Sequence, residues 1–279
     1  MSNTEFRAQS YDAWQRMAPG WDRKRRWMWE SSRAVGEWLV DTLDPRPGQT
    51  ILELAAGTGE TGFLAAARVG DEGKVICTDF APNMVDFAQE ECDRLGLANV
   101  EHRQLDAERM DLPDESVDGV LCRWGYMLMA DPGTAFRETR RVLREGGALA
   151  FSVFGAPEQN PWASVPARVL LEVTGAPPPE PTAPGIFAMA DPNRTRSLVG
   201  SAGFEIRRME EVPMAWRLED FDAYWIFLTE LAGALSGRIA ALTNAQEETF
   251  RELLRAGIEP YRSERGYELP AVTQNTLAS

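Results

Sequence analysis

The fold of this 279-residue chain is decided by one stretch, Ile51-Leu52-Glu53-Leu54-Ala55-Ala56-Gly57-Thr58-Gly59-Glu60-Thr61-Gly62-Phe63. An apolar strand breaks here into a glycine turn, and the turn opens a helix. In an open α/β sheet, ligands lie beyond the carboxyl ends of the strands, where glycines let the backbone approach and the next helix presents unpaired N–H groups. The stretch therefore predicts a ligand site at this turn.

The glycine pattern by itself leaves two enzyme classes open. Gly57, Gly59 and Gly62 spell G-x-G-x-x-G, and Asp79 follows about twenty residues later, so a dinucleotide-dependent oxidoreductase also fits. Glu53 argues against that class, since a dinucleotide fold usually has a small apolar residue at this point in the strand. An acid there suits a ligand that carries a positive amino group.

Further strands follow in order along the chain. Residues 75–79 and 100–106 read as strands that end in Asp79 and Asp106, and the next expected strands are 116–124, 146–153 and 204–209. Helical segments separate them, and this alternation predicts parallel strands joined by right-handed crossovers. Residues 272–277 are expected to form a last strand, inserted antiparallel behind Pro270.

This ordered set of motifs resembles the class I S-adenosylmethionine-dependent methyltransferases, and within them the ubiquinone/menaquinone-biosynthesis-like small-molecule branch. The resemblance covers roughly residues 45–155, because the glycine turn and the acid-ended strands occur there in the right order. It implies an α/β fold with a Rossmann-like, seven-stranded, mostly parallel sheet. The implied strand order is 3-2-1-4-5-7-6, with the last strand antiparallel and with helical cap insertions.

The resemblance also implies the cofactor, S-adenosyl-L-methionine, and the residues that bind it. Asp79 would take both ribose hydroxyls, while Phe80 and Met84 would pack on adenine. Asp106 and Ala107 would read the adenine edge. The methionine part would be lined by Glu53, Ala55, Gly57 and Gly59, with Tyr11, Asp12 and Trp21 in an amino-terminal segment that lies over the cofactor. Independently of the resemblance, the position of Arg123 at the end of the fourth strand allows a salt bridge or a contact with the cofactor carboxylate.

Composition narrows the class of partner. The chain has 43 acidic and 29 basic residues and a net charge of −14, which would repel a phosphate backbone, so no nucleic-acid partner is expected. Its three cysteines show no C-x-x-C spacing, and no metal site is suggested. We find neither a signal pattern nor a run of about 18 apolar residues. The sequence therefore predicts a cytoplasmic protein without stable membrane insertion.

The domain organisation follows from proline and tryptophan placement. Residues 1–44 are expected to form an N-terminal helical lid, broken at Pro19-Gly20. Residues 45–279 would be the methyltransferase domain, with a cofactor-binding core at 45–155 and cap insertions at 155–190 and 213–265. Within the lid, Arg23-Lys24-Arg25-Arg26 is a basic stretch in an acidic protein. It is read as a solvated helix face, with contact to an anionic acceptor or headgroup as the alternative.

The chemistry required is an in-line displacement, which depends mainly on positioning. A hydroxyl acceptor would also need a base, and the chain contains one histidine, His102. It lies four residues before Asp106, hence ~13 Å back along the strand, and is assigned to structure. Either the acceptor therefore arrives already nucleophilic, as an amine, a thiolate or an activated carbon, or an acid or phenol such as Asp12, Tyr11, Tyr126 or Glu158 takes the proton. The candidate catalytic residues are Arg123, which could hold an acceptor's negative charge, with Tyr126 and Asp12.

Several aromatic side chains and one methionine are expected above the strand ends. Together they predict a largely apolar acceptor pocket. Its members are Trp124, Tyr126, Met127, Phe154, Trp162, Phe187 and Trp225. The sequence thus indicates a methyltransferase for a small, largely apolar molecule. The alternative, from another functional class, is a cofactor-binding protein of the same fold that catalyses no methyl transfer. O-, N-, S- and C-methylation stay open, as does the oligomeric state, a homodimer included.

Overall fold

A single mixed sheet forms the centre of the molecule, and the computed structural model describes residues 2–279. The strands are β1 (Thr50–Glu53), β2 (Lys74–Asp79), β3 (Val100–Gln104), β4 (Val117–Arg123), β5 (Leu143–Phe154), β6 (Ile206–Leu218), β7 (Arg262–Ser263) and β8 (Gly266–Ala278). They lie in the order β3-β2-β1-β4-β5-β8-β6, and the two-residue β7 pairs with β8 outside this order.

Strand direction agrees with the predicted topology. Strands β1 to β5 pair in parallel, whereas β8 runs antiparallel to both β5 and β6. With β8 as the seventh long strand, the predicted order 3-2-1-4-5-7-6 is confirmed. The short β7 was not predicted, because two residues carry no periodic signal.

Ten α-helices accompany the sheet in the described chain. They are α1 (Asn3–Arg23), α2 (Arg25–Leu43), α3 (Glu60–Val69), α4 (Pro82–Leu95), α5 (Pro132–Val142), α6 (Pro161–Thr174), α7 (Pro192–Ser201), α8 (Phe221–Glu230), α9 (Ala234–Ala240) and α10 (Asn244–Ile258). Helices α3, α4 and α5 make the crossovers between parallel strands. Their ends follow local rules: proline opens α4 and α5, and Gly96 closes α4 in a left-handed conformation.

The predicted break at Pro19-Gly20 is wrong, since α1 runs through it to Arg23. A proline inside a helix leaves the carbonyl of the residue four positions earlier without its N–H partner. Here that carbonyl belongs to Gln15, and it accepts a hydrogen bond of 3.1 Å from the side chain of Asn83. A tertiary contact with α4 therefore compensates for the missing donor.

Helix α2 belongs to the core, which corrects the expectation that all of residues 1–44 form a lid. Its residues Val35, Leu39 and Val40 are buried. The helix packs against β4, β5, β6 and β8. On β1, Ile51 faces the cluster that contains Leu39, while Leu52 faces the larger cluster on the other side of the sheet. Of the two amino-terminal helices, α1 therefore supplies most of the residues that cover the cavity, and α2 contributes Met28.

The carboxyl-terminal part differs from the expected boundaries. Strand β6 extends to Leu218, so residues 213–218 belong to the sheet and not to a cap insertion. Strand β8 begins at Gly266 and contains Pro270, which was expected ahead of it. Proline is tolerated there because β8 pairs with β5 only from Thr273 onward, which leaves one side open at Pro270.

The helices between β6 and β7 form three pieces, and Gly233 separates α8 from α9. Within residues 2–279, no helix combines the length and the apolar character needed to cross a bilayer.

Candidate active site

A cavity of about 440 Å³ opens at the carboxyl ends of β1, β2 and β4. Its floor is the glycine turn after β1, and its roof is formed by α1 together with residues of α6, α8, α9 and the loop 179–188. This volume is within the usual range of small-molecule sites, about 300–1,000 Å³. The edge of the sheet that the sequence indicated is therefore a concave, covered site.

The glycine turn has an unusual backbone conformation along the floor of the cavity. Ala55, Gly57 and Gly59 all have positive φ, at 49°, 58° and 92°. A side chain at Gly57 would meet no atom within 4 Å, so its backbone faces open space. At Ala55 the left-handed conformation is one that glycine adopts more readily. Ala55 and Gly57 line the cavity, whereas Gly59 does not, because it packs under Phe63 at the start of α3.

Asp79 stands at the end of β2 with acceptor capacity to spare. Its two carboxylate oxygens accept hydrogen bonds from the N–H groups of Gly57 and Ala81, both at 2.9 Å. Each oxygen has a second lone pair, so the carboxylate can accept further bonds from a ligand. Desolvation at the cavity wall raises the pKa of Asp79, and the N–H groups of Ala81 and Gly57 oppose that rise.

An apolar face lies beside Asp79. Phe80, Met84 and Leu105 line the cavity next to Ala107, and Met84 is fully buried. Tyr11 contacts the outer side of this face, with its ring centroid 5.5 Å from that of Phe80 and the two rings nearly perpendicular. Tyr11 itself does not line the cavity.

Arg7 in α1 ties the roof to the end of β3, and sequence reasoning missed it. Its guanidinium forms an ion pair with the carboxylate of Asp106 and a second one, at 2.8 Å, with that of Glu108. Arg7, Asp106 and Glu108 all line the cavity. The acids were visible as the end of a strand. No local pattern shows which of the arginines of the amino-terminal arm reaches them.

Glu53 does not line the cavity, contrary to the contact that the resemblance implied. Its side chain is 1% exposed and lies against Gly62, where an added methyl group would overlap the carboxylate. It accepts a contact of 3.7 Å from the Cys77 thiol. Burial raises the pKa of Glu53 to about 8, although the nearby Arg123 lowers it. Glu53 supports the turn from below, and Gly62 is a glycine because this carboxyl fills the space.

Arg123 lines the cavity at the end of β4, but its donors are largely engaged. Nε donates to Thr61 at 3.1 Å and one terminal nitrogen donates to Ser32 at 2.8 Å. The other terminal nitrogen lies 3.8 Å from a carboxylate oxygen of Glu60. Burial lowers the pKa of Arg123, and the charges of Glu60 and Glu53 raise it. The residue thus presents a fixed positive charge to the cavity.

The aromatic wall begins at Trp124, which has a positive φ of 63°. This conformation is unusual for a bulky residue and is found mainly at functional sites. The Trp124 ring stacks on Phe154 at 4.7 Å, and Trp162 lies 5.0 Å from Phe154. Met127 and Phe187 also line the cavity. The structure therefore brings together five of the seven residues expected in the acceptor pocket.

Two further aromatic residues of the wall, Trp216 and Phe227, were not expected. Their ring centroids are 5.3 Å apart, and Trp216 lies 6.1 Å from Trp124. Trp216 comes from the part of β6 that was taken for a cap insertion. Phe227 was one of many apolar residues around α8, and periodicity could not show which of them points inward.

Besides Tyr11, Glu53 and Gly59, three more predicted residues lie away from the cavity. Tyr126 is fully buried, with its hydroxyl 2.6 Å from Thr139 and with burial raising its pKa well above the ordinary value, so it is neither a base nor a wall residue. Asp12 is exposed on α1 and is not part of the cavity wall. Trp225 packs 6.0 Å from Phe250 on the far side of α8. The direction in which each of these side chains points depends on how its helix or strand packs against its neighbours.

The single histidine is also outside the wall. His102 lies on β3, and burial lowers its pKa. No histidine is found among the residues that line the cavity in the described chain. The charged groups at the wall are instead Asp79, Arg7 with its two partner acids, the engaged Arg123, Glu180 and Arg238.

These features fit an adenosyl ligand. The open space at Gly57 admits a ligand against the backbone, the spare acceptors of Asp79 suit a diol, and the face of Phe80 and Met84 suits a flat heterocycle. Trp21 lines the cavity from α1, where its indole donates to the carbonyl of Leu231 at 3.3 Å. The aromatic wall remains for a second, apolar molecule.

Comparison with known proteins points the same way. Residues 51–147 match the family described as methyltransferase domain. Over 125 residues, 44% of this chain, the sequence is 34% identical to the ubiquinone/menaquinone biosynthesis C-methyltransferase UbiE of Escherichia coli O1:K1 / APEC. The matched region spans about half of that relative, 50% of its length.

Solved structures share the fold. A protein from Bacillus halodurans C-125 with a provisional methyltransferase assignment superposes with a TM-score of 0.62 at 18% identity, over 87% of this chain and 97% of its own. Geranyl diphosphate C-methyltransferase from Streptomyces coelicolor A3(2), solved with Mg²⁺, geranyl diphosphate and S-adenosyl-L-homocysteine, gives 0.52 at 15% identity, over 88% and 80%. The domain match and the relative at 34% identity confirm the predicted family resemblance, and the solved structures share the fold: residues 51–147 of this chain form a methyltransferase domain.

Proposed function

We propose that the whole protein is an S-adenosylmethionine-dependent methyltransferase that acts on a small, largely apolar molecule. The observation that carries this proposal is the continuity of the cavity. One space connects the glycine turn and Asp79 with the aromatic wall of Trp124, Phe154 and Trp216 beneath α1. A donor at the turn and an acceptor at the wall would share a single covered chamber.

The cofactor would be held by residues of the turn and the strand ends. The carboxylate of Asp79 would accept bonds from the ribose hydroxyls, while Phe80 and Met84 would cover the adenine. The backbone of Ala55 and Gly57 would lie along the methionine part, with the positive charge of Arg123 available to its carboxylate. When bound, S-adenosylmethionine supplies an electrophilic methyl carbon on a sulfonium.

Positioning and exclusion of water are the contributions we assign to the chain. Holding reactants in near-attack geometry can supply ~7–11 kcal/mol of a barrier. In the described chain no histidine lines the cavity, and Tyr126 is turned into the core. The acceptor would therefore arrive nucleophilic, as an amine, a thiolate, an activated carbon or an already ionised oxygen.

The aromatic wall supports an apolar acceptor. Trp124, Trp162 and Trp216 offer large flat surfaces, and such pockets orient a ligand by shape with few polar groups. The curated relatives are named for C-methylation in ubiquinone/menaquinone biosynthesis. An activated carbon on an apolar molecule is consistent with that name and with this wall.

The test has two steps. Calorimetry should first detect binding of S-adenosylhomocysteine to the purified protein. Incubation with methyl-labelled S-adenosylmethionine and a metabolite extract should then label a small extractable product. The Asp79→Ala variant is the control and should bind S-adenosylhomocysteine more weakly and label less product at the same concentrations. A protein that does not bind S-adenosylhomocysteine would contradict the proposal.

A second candidate is a cofactor-binding protein of the same fold without methyl transfer. The engagement of Arg123 with Ser32 and Thr61 favours it, because these bonds leave the guanidinium few donors for an acceptor molecule. Binding of S-adenosylhomocysteine without any labelled product, across extracts of different polarity, would support this alternative.

We also propose a cytoplasmic location. Cys77, Cys92 and Cys122 are buried free thiols, which suits a reducing compartment. The oligomeric state would be measured by light scattering on the same preparation, with the homodimer as one outcome.

A further inference from the structure

The basic stretch Arg23-Lys24-Arg25-Arg26 does not behave as one solvated face. The side chain of Arg26 is 91% exposed and pairs only with Glu30, one turn later in α2. Arg23 pairs with Glu230 and is also mostly exposed. The side chain of Arg25 is 12% exposed. The first residue of α2 therefore has a different environment from its neighbours.

The hydrogen-bond and ion-pair partners of Arg25 are all acceptor groups of the chain itself. One terminal nitrogen donates to the carbonyl of Thr58 at 3.1 Å. The other donates to the carboxylate of Asp22 at 2.8 Å and to the carbonyl of Phe87 at 2.7 Å. Carboxylate oxygens of Glu60 and Glu91 each lie 3.9 Å from the guanidinium. This occupancy leaves no place for an external anion, so the headgroup alternative does not apply to Arg25.

The Thr58 carbonyl places Arg25 at the cofactor-binding turn. Thr58 is buried and stands between Gly57 and Gly59, two residues with left-handed backbones. Such a turn has few side chains of its own to hold it. A guanidinium is always charged and presents its donors in a rigid fork, so it can hold the loop and α4 at one fixed separation.

We infer that Arg25 is a positioning residue that holds the glycine turn in its cofactor-binding conformation. The inference rests on the proposed function, since the turn is taken to bind S-adenosylmethionine. If Arg25 has this role, the amino-terminal helices α1 and α2 do more than cover the chamber. Through Arg25, the start of α2 sets the geometry of the chamber floor.

A second set of contacts connects the glycine turn and Arg25 with Arg123 in the cavity wall. The hydroxyl of Thr58 donates to a carboxylate oxygen of Glu60 at 2.8 Å. That oxygen lies 3.8 Å from Arg123, while the other oxygen of Glu60 faces Arg25. Glu60 thus sits between two arginines, one outside the turn and one at the cavity. Loss of Arg25 would loosen the turn and the side chain that orients Arg123.

The experiment compares Arg25→Met with Arg26→Met, an adjacent substitution that also removes one positive charge. Two quantities are measured: the affinity for S-adenosylhomocysteine by calorimetry, and amide hydrogen exchange of residues 55–60 in the ligand-free protein. Arg25→Met should bind about tenfold more weakly or worse, as expected for lost hydrogen bonds to a charged group. Its turn should exchange faster, while Arg26→Met should match the wild type in both.

Arg25→Lys covers the case in which Arg25→Met does not fold. Lysine keeps the charge but cannot reach the two carbonyls and Asp22 together, so a partial loss of affinity and intermediate exchange are expected. A folded Arg25→Met or Arg25→Lys protein with wild-type affinity and wild-type exchange at 55–60 would overturn the inference. If the wild type fails to bind S-adenosylhomocysteine, the proposed function fails, and the exchange comparison alone decides whether Arg25 holds the turn.

Discussion

Replacing Glu53 by glutamine should make the protein more stable at neutral and alkaline pH. Glu53 is a carboxylic acid buried below the glycine turn, with a pKa of about 8 against an ordinary value of 4.5. Because the folded state raises this pKa, the folded protein holds the proton more tightly than the unfolded chain does. Stability from this group is therefore fully present below about pH 4.5 and is lost as the pH rises to about 8.

The size of the effect follows from the pKa. Moving it from 4.5 to about 8 corresponds to about 5 kcal/mol of stability across that window. Glutamine has nearly the same shape and does not titrate. The free energy of unfolding of Glu53→Gln relative to the wild type should thus increase steadily with pH and level off above about pH 8.

The assay is urea denaturation of both proteins at a series of pH values from about pH 5 to about pH 9. Other titrating groups contribute equally to both proteins and cancel in the difference. Glu248→Gln serves as the control, since Glu248 is exposed on α10, and its difference from the wild type should not change with pH. A Glu53→Gln difference that is constant across this range would refute the argument that Glu53 is buried with a raised pKa.

Three further outcomes are expected. Asp79→Ala should weaken S-adenosylhomocysteine binding by ~2–3 kcal/mol in calorimetry, because two charge-assisted bonds are lost, and unchanged affinity would remove Asp79 from the ribose site. His102→Ala should leave that affinity unchanged, since His102 is not part of the wall, and a large loss would place it at the site. Deletion of residues 1–20 retains Arg25 and α2, so circular dichroism should show a folded sheet while methyl transfer to the labelled product stops. Full activity in the deleted protein would argue against α1 as a lid.

Much of the fold could be read locally. The glycine turn, the acids that end β2 and β3, and the proline and glycine residues at helix ends are signals contained within a few residues each. Parallel strands joined by right-handed crossovers allow few topologies, so these signals were enough for the strand order. The predicted helix and strand boundaries were wrong where a distant part of the chain makes a proline tolerable. Asn83 compensates for Pro19 within α1, and the unpaired side of β8 accommodates Pro270.

The sequence by itself determined the sheet, the turn and the identity of the residues at the strand ends. Only the tertiary structure decided where their side chains point. Glu53 faces Gly62 and not the chamber, Tyr126 faces the core, and Arg25 alone of four neighbouring basic residues reaches the turn. A periodic sequence pattern indicates that a residue is buried. Whether its side chain points into the core or into the chamber depends on which element packs against that face of its helix or strand. That partner lies far away in the chain, so the chamber was assembled by packing that no local pattern encodes.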